Sequence, residues 1–331
     1  MEKERVQDII EKNYDIKVKN IEQVKNTYKV EAEEGIYCIK IIKYKYPHFK
    51  FILSAILHLQ KQGFETIPAI IKNKTGEYFI EFIGYYAYLT EWITARESNF
   101  DNPIELAMVS EKLSSLHKCS EGFTLTKDMK PRIGWFSWIK VFNTRKDEIL
   151  DFKKRISQKA YKSNFDLLYL SCLDEEIERA NKCIKLLEKS NYTKLMEREM
   201  LKRRFCHHDY ANHNILINSK NNIYIIDFDY CILDTHLHDL SSLFIRAMKD
   251  GKWSREKANI ILNAYCKNID VSEEELKIMG YFMEFPQAFW QLGIQMYWEQ
   301  QPWSEELFLR RLSKYIEDRE GRTLFIHDFF N

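Results

Sequence analysis

FCHHDYANHNILINSKNNIYIIDFDY, residues 205–230, is the stretch that decides the fold of this chain. Its two runs at residues 214–217 (NILI) and 223–226 (IYII) are rich in β-branched side chains, and the polar segment NSKNN separates them. We therefore predict a β-hairpin. A hairpin brings its two open ends together, so Asp209 and Asp227 should lie close in space although they are distant in sequence.

Oxygen-bearing side chains gather at these two ends. Asp209 and Asn214 precede the first predicted strand, and Asp227 and Asp229 follow the second. Carboxylate and carbonyl oxygens are the ligands that Mg²⁺ prefers. Phosphoryl transfer needs such a metal site and a separate carboxylate that orients the attacking hydroxyl group. The stretch therefore predicts phosphoryl transfer.

The order of these residues resembles the catalytic segment of the aminoglycoside phosphotransferase and choline kinase superfamily, which shares the protein-kinase-like fold. That pattern is H-G-D-x-H-x-x-N followed by I-D-F-[DE], and this chain has HHDYANHN from His207 and IDFD from Ile226. Two positions depart from it, because His208 stands where Gly is usual and Ala211 where His is frequent. The longer wording, HHDYANHNIL with IYIIDFDYCILDTHLHDLSSL, looks like the bacterial spore-coat CotS-type branch.

The resemblance implies a role for each polar residue of the segment. Asp209 would orient the acceptor hydroxyl and accept its proton, Asn214 and Asp227 would hold Mg²⁺, and Asp229 would support the metal. The implied cofactors are Mg²⁺ with ATP or GTP, and the implied partner is a hydroxyl group of a small molecule or sugar. His207 is implied to brace the catalytic loop.

Lys40 lies within IYCIKII, residues 36–42, where both faces of the predicted strand are apolar. An uncompensated ammonium is costly there, and the resemblance implies that Lys40 holds the nucleotide α- and β-phosphates. We expect its charge to be compensated only when phosphate is present. An alternative interpretation is a lysine at a strand end whose ammonium reaches water. The two residues after Lys40 are still apolar, which favours the phosphate-binding role. The covering loop would be residues 24–28, without glycine, with Asn26 and Thr27 contacting phosphate.

A helix is predicted from Pro47 to about Gln62. Related kinases carry a glutamate there that pairs with the strand lysine, but no Asp or Glu occurs between Lys40 and Gly63. Either Glu65 or a neighbour from elsewhere substitutes, or Lys40 is held differently. This absence keeps open an alternative, a catalytically weak or inactive kinase-fold component of the spore coat.

The predicted architecture is a two-lobed α+β fold of the protein-kinase type. Strands predicted at residues 21–30, 35–43, 77–82 and 87–92 form a small antiparallel sheet, and helices dominate from Pro103 onward. We therefore expect a nucleotide-binding lobe at residues 1–92 and a helical lobe with the catalytic loop and acceptor site at residues 93–331. The resemblance implies that adenine is hydrogen-bonded by the backbone of a hinge, namely Glu91, Trp92 and Ile93.

DTHLHD at residues 234–239 precedes a helix predicted from Leu240. By resemblance Asp239 is a buried cap or brace of the catalytic loop, and a metal site formed by His236 and His238 is disfavoured.

A third function class is a metal-dependent phosphohydrolase with His207, His208, Asp209 and Asp227 as ligands. It requires both adjacent histidines to face one ion, and neighbouring side chains in a strand or tight loop usually diverge.

Composition excludes several other classes. Lys and Arg number 50 against 49 Asp and Glu, so the net charge of +1 favours neither nucleic acid nor another polyanion as partner. The 10 glycines nowhere form G-x-G-x-x-G or a Walker loop. The 7 cysteines lack a C-x-x-C pair and are expected to be reduced thiols. No apolar run suggests a membrane span. We expect cytoplasmic synthesis, in the mother cell by resemblance, and then residence in the spore coat with other coat proteins as partners.

Overall fold

The computed structural model of the protein describes residues 2–25 and 27–330. The chain divides into two compact units, and their boundaries differ from the predicted lobe boundary at residue 92. The first unit also contains the predicted catalytic segment. The first unit comprises the chain up to Asn99 with Ser115–Arg132 and Arg203–Leu233, and the second comprises Phe100–Ser114, Ile133–Lys202 and the chain from Asp234. The lobe boundary at residue 92 stays a prediction.

The first unit contains the predicted antiparallel sheet. Its strand order is β1-β2-β3-β6-β4, and β5 also pairs with β6. The strands are β1 Val18–Val24, β2 Thr27–Ala32, β3 Ile36–Ile42, β4 Ile70–Ile71, β5 Ile80–Phe82 and β6 Tyr85–Glu91. The register places Lys40 of β3 between Thr27 of β2 and Tyr88 of β6.

The single strand predicted at residues 21–30 is wrong, because this segment forms two strands joined by a tight turn. Val24 pairs with Thr27, and Lys25 between them has a left-handed backbone with φ 54°. The turn contains neither Gly nor Pro, the residues that usually mark such a reversal. The short strand β4 was also not predicted.

Helices cover both faces of this sheet. Alternation along the strands directs Ile39, Ala87 and Leu89 into one apolar cluster with Val6 and Ile10 of helix α1 (Glu2–Asn13). The other face carries Tyr86, whose ring stacks on Phe49 of helix α2 (Tyr46–Lys61) with centroids 4.9 Å apart. Lys40 shares this second face, so strand alternation buries a cation in an apolar layer.

The predicted hairpin is confirmed as β8 (Ile215–Ile217) and β9 (Ile223–Ile225), and a further strand, β7 (Arg96–Glu97), pairs with β8. Ile226 N–H donates to the Asn214 carbonyl at 3.0 Å, which closes the open end of the hairpin.

The second unit is helical. Helix α3 (Pro103–Cys119) begins in the second unit and ends in the first. The helices that belong wholly to the second unit are α4 Trp138–Ser157, α5 Asn164–Lys189, α6 Tyr192–Lys202, α7 His236–Met248, α8 Arg255–Tyr265, α9 Glu273–Glu284, α10 Gln287–Gly293 with a π-helical turn at Ile294–Trp298, and α11 Glu305–Phe330. Aromatic side chains fill much of its core, among them Phe152 and Tyr169. A Cβ atom on Gly293 would clash with the Phe152 ring, so only glycine allows α10 this approach. Within the described residues, no helix is long and apolar enough to span a bilayer.

Helix α7 begins earlier than the predicted Leu240. Thr235 is its N-cap, with the side-chain hydroxyl accepting from Leu237 N–H at 3.3 Å. Asp239 is buried in the first turn of the helix and is not its cap. Its predicted role as a brace of the catalytic loop stays a prediction.

Candidate active site

A cavity of about 470 Å³ lies within the first unit. Strand β3 contributes Cys38 and Lys40, and the segment after the hairpin contributes Asp227 and Phe228. The other lining residues come from the β1–β2 turn, helix α2 and its following loop, β6 and the segment after it, and the β8–β9 region: Val24, Lys25, Thr27, Ile56, Ile67, Pro68, Tyr88, Thr90, Glu91, Trp92, Ile93, Ala95, Glu97, His213, Asn214, Leu216, Ile225 and Ile226. A volume of this size suits a small-molecule ligand.

Lys40 forms the centre of a charged triad at this cavity. Its Nζ lies 2.9 Å from Asp227 Oδ1 and 3.2 Å from Asp229 Oδ2, and the residue is only 6% exposed. The expectation that this charge is compensated only by phosphate is therefore wrong. Sequence reasoning missed the pairing because it assigned both carboxylates to a metal.

Helix α2 explains why Lys40 uses these partners. The helix contains no Asp or Glu, and its residue Ile56 lines the cavity. Glu65, the predicted substitute, is exposed, and the ion pairs of Lys40 in the described chain are those with Asp227 and Asp229. Lys40 is thus held differently from the lysine of related kinases.

The triad holds two carboxylates against one ammonium, and their pKa values respond in opposite directions. Burial alone would raise the pKa of Asp227, but the charge of Lys40 and its hydrogen bond outweigh burial and lower it. Burial raises the pKa of Asp229 to about 6; Lys40 opposes this shift and Asp227 reinforces it. For Lys40, burial works against the charged form, yet Asp229 and Asp227 raise its pKa. One negative charge remains in excess.

Asp209 and Asn214, which both precede β8, are hydrogen-bonded to each other. The side-chain amide of Asn214 donates from Nδ2 to the carbonyl of Asp209 at 2.9 Å and to its Oδ2 at 3.0 Å. These bonds use the donor side of the amide, which leaves Asn214 Oδ1 as the atom that could bind a cation. Asp209 is partly exposed, whereas Asn214 is buried and lines the cavity.

His207 is buried inside the loop, and both of its ring nitrogens are engaged. Nε2 lies 2.9 Å from the Ile226 carbonyl, which makes it the protonated nitrogen, and Nδ1 accepts from Asp209 N–H at 3.3 Å. The ring therefore links the Asp209 turn to the residue that precedes Asp227. With neither nitrogen directed to an ion, His207 does not fit the ligand set of a phosphohydrolase.

Three residues of the segment have left-handed backbones that L-amino acids rarely adopt. Asn221, with φ 61°, lies in the hairpin turn, whereas His208 with φ 67° and Asp227 with φ 65° lie at the site. His208 stands at the position where the resembled pattern has Gly, so a histidine here adopts the left-handed conformation that glycine usually provides. Backbone strain of this kind clusters at functional sites, and here it occurs at the residue before Asp209 and at Asp227 itself.

The polar atoms present fit a divalent metal ion. Asp229 Oδ1 is buried and has no hydrogen-bond partner among the described residues. An orphan carboxylate oxygen is costly unless a cation or donor meets it. Together with Asn214 Oδ1 and Asp227, it offers the hard oxygen donors that Mg²⁺ takes.

The predicted hinge residues Glu91, Trp92 and Ile93 all line the cavity. Trp92 N–H already donates to the Ile36 carbonyl at 2.9 Å and is not available to an adenine ring. Thr27 also lines the cavity, with its hydroxyl bonded to the Val24 carbonyl at 2.9 Å. The predicted phosphate contact Asn26 lies outside the described residues.

Five polar lining residues were not predicted, namely Cys38, Tyr88, Thr90, Glu97 and His213. Strand alternation could have found Cys38, two positions from Lys40 on the same face. Tyr88 requires the β3–β6 register, which a sequence alone does not supply.

A protein-family model described as "Spore coat putative kinase YutH" matches residues 7–329. Among solved structures, an aminoglycoside phosphotransferase from Alicyclobacillus acidocaldarius aligns with a TM-score of 0.84 at 20% identity, covering 96% of this chain and 93% of that one. A spectinomycin phosphotransferase bound to ADP and spectinomycin gives 0.67 at 16% identity, covering 99% and 98%. The choline kinase of Streptococcus pneumoniae gives 0.52 at 15% identity, covering 93% and 94%.

These comparisons confirm the kinase-like fold, with an antiparallel sheet followed by a mostly helical remainder. They also confirm the resemblance to spore-coat proteins of the aminoglycoside phosphotransferase and choline kinase superfamily. At these identities, similarity to solved structures carries the fold and not the chemistry.

Proposed function

The chain belongs to the YutH spore coat family, and from this premise we propose that it is a Mg²⁺-dependent phosphotransferase. It moves the γ-phosphoryl group of ATP or GTP to a hydroxyl group of a small molecule or sugar. The observation that carries the proposal is the convergence of Lys40, Asn214 and Asp227 on one cavity, with Asp209 hydrogen-bonded to Asn214.

Each group has a distinct task in this reaction. The acceptor oxygen forms a bond to the γ-phosphorus while the bond from that phosphorus to the β,γ-bridging oxygen breaks, which releases the nucleoside diphosphate. The hydroxyl proton passes to the carboxylate of Asp209. Lys40 binds phosphate oxygens, and the peptide groups around Glu91 and Ile93 hold the base.

The metal would be held by Asn214 Oδ1, Asp227 and Asp229. When bound, Mg²⁺ neutralises charge on the β- and γ-phosphates. The bond from Asn214 Nδ2 to Asp209 Oδ2 then has a second purpose. It fixes the proton acceptor at a constant distance from the metal-binding amide oxygen.

A second candidate is a kinase-fold component of the spore coat with weak or no turnover. The absence of a carboxylate in helix α2 favours it, because the phosphate-binding lysine then lacks the partner that usually positions it. In either case we propose that the protein resides in the spore coat, after synthesis in the mother cell, with other coat proteins as partners.

Calorimetric titration of the purified protein with ATP and with GTP, each with and without Mg²⁺, tests the nucleotide site. Binding that Mg²⁺ strengthens supports the proposal, whereas no binding of either nucleotide contradicts it. Transfer of labelled γ-phosphate is then tested on an aminoglycoside, choline and aminopropanol, since similar structures are kinases of such compounds. Nucleotide binding without any phosphorylated acceptor favours the coat component.

A further inference from the structure

Lys40 occupies an unusual electrostatic position. Its Nζ contacts Asp227 Oδ1 and Asp229 Oδ2 at 2.9 and 3.2 Å, and these are the carboxylates assigned to the metal. No other ion pair of Lys40 occurs within residues 2–25 and 27–330, because helix α2 brings no carboxylate to it. The Lys40 ammonium is therefore bonded to two of the three residues proposed to bind the metal.

We propose that Lys40 is the resident cation of this metal site in the nucleotide-free protein, so that a divalent ion binds well only together with the nucleotide. The inference rests on the proposed function. The phosphates offer Lys40 another set of anionic oxygens, and its departure frees Asp227 and Asp229 for the metal.

The argument follows from charge and burial. An ammonium bonded to Asp227 Oδ1 repels a second cation at the same oxygen, and this repulsion is strong where water is largely excluded. Were a glutamate present on α2, Lys40 could pair with it and leave the two aspartates to the ion. Because binding free energies are reciprocal, a nucleotide that removes Lys40 strengthens metal binding, and the metal strengthens nucleotide binding by the same factor.

The side chains directly beside Lys40 on the sheet are uncharged. Thr27 and Tyr88 are its cross-strand neighbours and Cys38 lies two positions along β3, and burial raises the pKa of the Cys38 thiol and of the Tyr88 phenol. Glu91 and Glu97 also line the cavity, but both are exposed, and neither forms an ion pair with Lys40 among the described residues. Phosphate would therefore supply the alternative anionic partner of Lys40 within the cavity.

The test measures Mn²⁺ binding without nucleotide, by the loss of the free-ion electron paramagnetic resonance signal. Lys40→Met removes the ammonium at similar length, and we expect it to bind Mn²⁺ about tenfold or more tightly than the parent protein. Lys43→Met is the matched control, since Lys43 is exposed and the described residues form no ion pair with it. This control should leave Mn²⁺ affinity unchanged. Equal or weaker Mn²⁺ binding in a folded Lys40→Met protein overturns the inference.

Lys40→Gln is a second variant, because its amide can donate a hydrogen bond to the aspartates without a positive charge. The parent protein supplies a further test should neither variant fold. After correction for the Mn²⁺ that ADP binds in solution, we expect the Mn²⁺ affinity of the parent to rise at least about tenfold when saturating ADP is present. Mn²⁺ affinity that ADP leaves unchanged overturns the inference, provided that ADP binds. Failure of ADP and ATP to bind at all contradicts the proposed function instead, and the comparison of Lys40 variants with Mn²⁺ alone is independent of it.

Discussion

Each unit of the protein contains one buried charge cluster, and the two clusters differ in how their carboxylates are paired. The triad of Lys40, Asp227 and Asp229 borders a cavity, contains one excess negative charge and leaves Asp229 Oδ1 without a partner. The second cluster, here called the Glu176 network, lies among helices α5, α9 and α11. Its central carboxylate has no exposed surface.

In the Glu176 network both oxygens of the central carboxylate are hydrogen-bonded, although Arg179 Nε and Arg322 Nε have no hydrogen-bond partner among the described residues. Glu176 Oε1 accepts from Arg319 Nη1 at 2.9 Å, and Oε2 accepts from the Tyr315 hydroxyl at 2.6 Å. Arg179 Nε lies 3.5 Å from Oε2 of the same carboxylate, and Arg322 Nη2 donates to the Tyr315 hydroxyl at 3.4 Å. No residue of this network lines the cavity.

The difference separates two uses of buried charge. A buried carboxylate paired on both oxygens, with no cavity beside it, holds helices in one arrangement, and removing it leaves unpaired charge inside the protein. A triad with excess negative charge beside a cavity is costly by itself, which is typical of ligand sites. Mutations should therefore change function in the triad region and stability in the Glu176 network.

The largest effect is expected at Asp209, which is hydrogen-bonded to the cavity-lining residue Asn214. Asp209→Asn removes the proton acceptor, so phosphoryl transfer should fall by about 10²–10⁴-fold. Nucleotide binding with Mg²⁺ should be kept or slightly improved, because a negative charge near the γ-phosphate is lost. Steady-state kinetics and calorimetry measure the two effects. Intact transfer in this variant would show that Asp209 does not have the assigned role.

The second prediction concerns the Glu176 network. Glu176→Gln leaves the surrounding arginines without their buried counter-charge and should lower the free energy of unfolding by about 3 kcal/mol. Glu178→Gln, on the exposed face of the same helix, should change it by less than about 0.5 kcal/mol. Urea unfolding measures both. Equal stabilities of the two variants would remove the distinction between network and triad.

The metal assignment predicts a smaller effect at Asp227. Asp227→Ala should abolish the strengthening of ATP binding by Mg²⁺, a loss of about tenfold or about 1.4 kcal/mol. Circular dichroism should show that the variant is folded. ATP affinity that still rises with Mg²⁺ in this variant would place the metal elsewhere.

The smallest effect has the opposite sign to that of Glu176→Gln. Asp229→Asn removes the excess negative charge of the triad and should stabilise the nucleotide-free protein by about 1 kcal/mol at neutral pH. Burial raises the folded-state pKa of Asp229 from 3.8 to about 6. The folded protein therefore binds more protons than the unfolded chain between these values. The contribution of Asp229 to stability falls as pH rises through this window.

Unfolding measured across pH checks this sign. The gain from Asp229→Asn should be complete above a pH of about 6 and should vanish below about 4, where the carboxyl group is protonated in both states. A variant less stable than the parent at neutral pH would mean that the ion pair from Lys40 to Asp229 is a net stabilising contact.

Sequence patterns predicted what depends on neighbours along the chain. The β8–β9 hairpin followed from two β-branched runs and the turn between them. The pairing of Lys40 with Asp227 joins residues 187 positions apart. It depends on how the sheet lies against the hairpin, which local propensity does not determine.

Other errors have equally local causes. The turn at Lys25 was missed because a left-handed conformation there uses no Gly, and His208 repeats this in the catalytic segment. The start of helix α7 was placed too late because Thr235 was not recognised as its cap. Lys25 and His208 each adopt a conformation that their residue type seldom favours, whereas Thr235 is an ordinary N-cap residue.

The Cys38 thiol allows ligand binding in the cavity to be detected by chemical modification. Its thiol lines the cavity on the same face as Lys40, and burial raises its pKa, so it reacts as thiolate only in alkaline solution. A bound nucleotide would cover this sulfur and slow its alkylation. Half-buried Cys119 and Cys266 lie outside the cavity and serve as internal references in the same sample. Mass spectrometry of alkylated peptides can thus report occupancy of the site in an unpurified spore extract, without a substrate or a measured reaction.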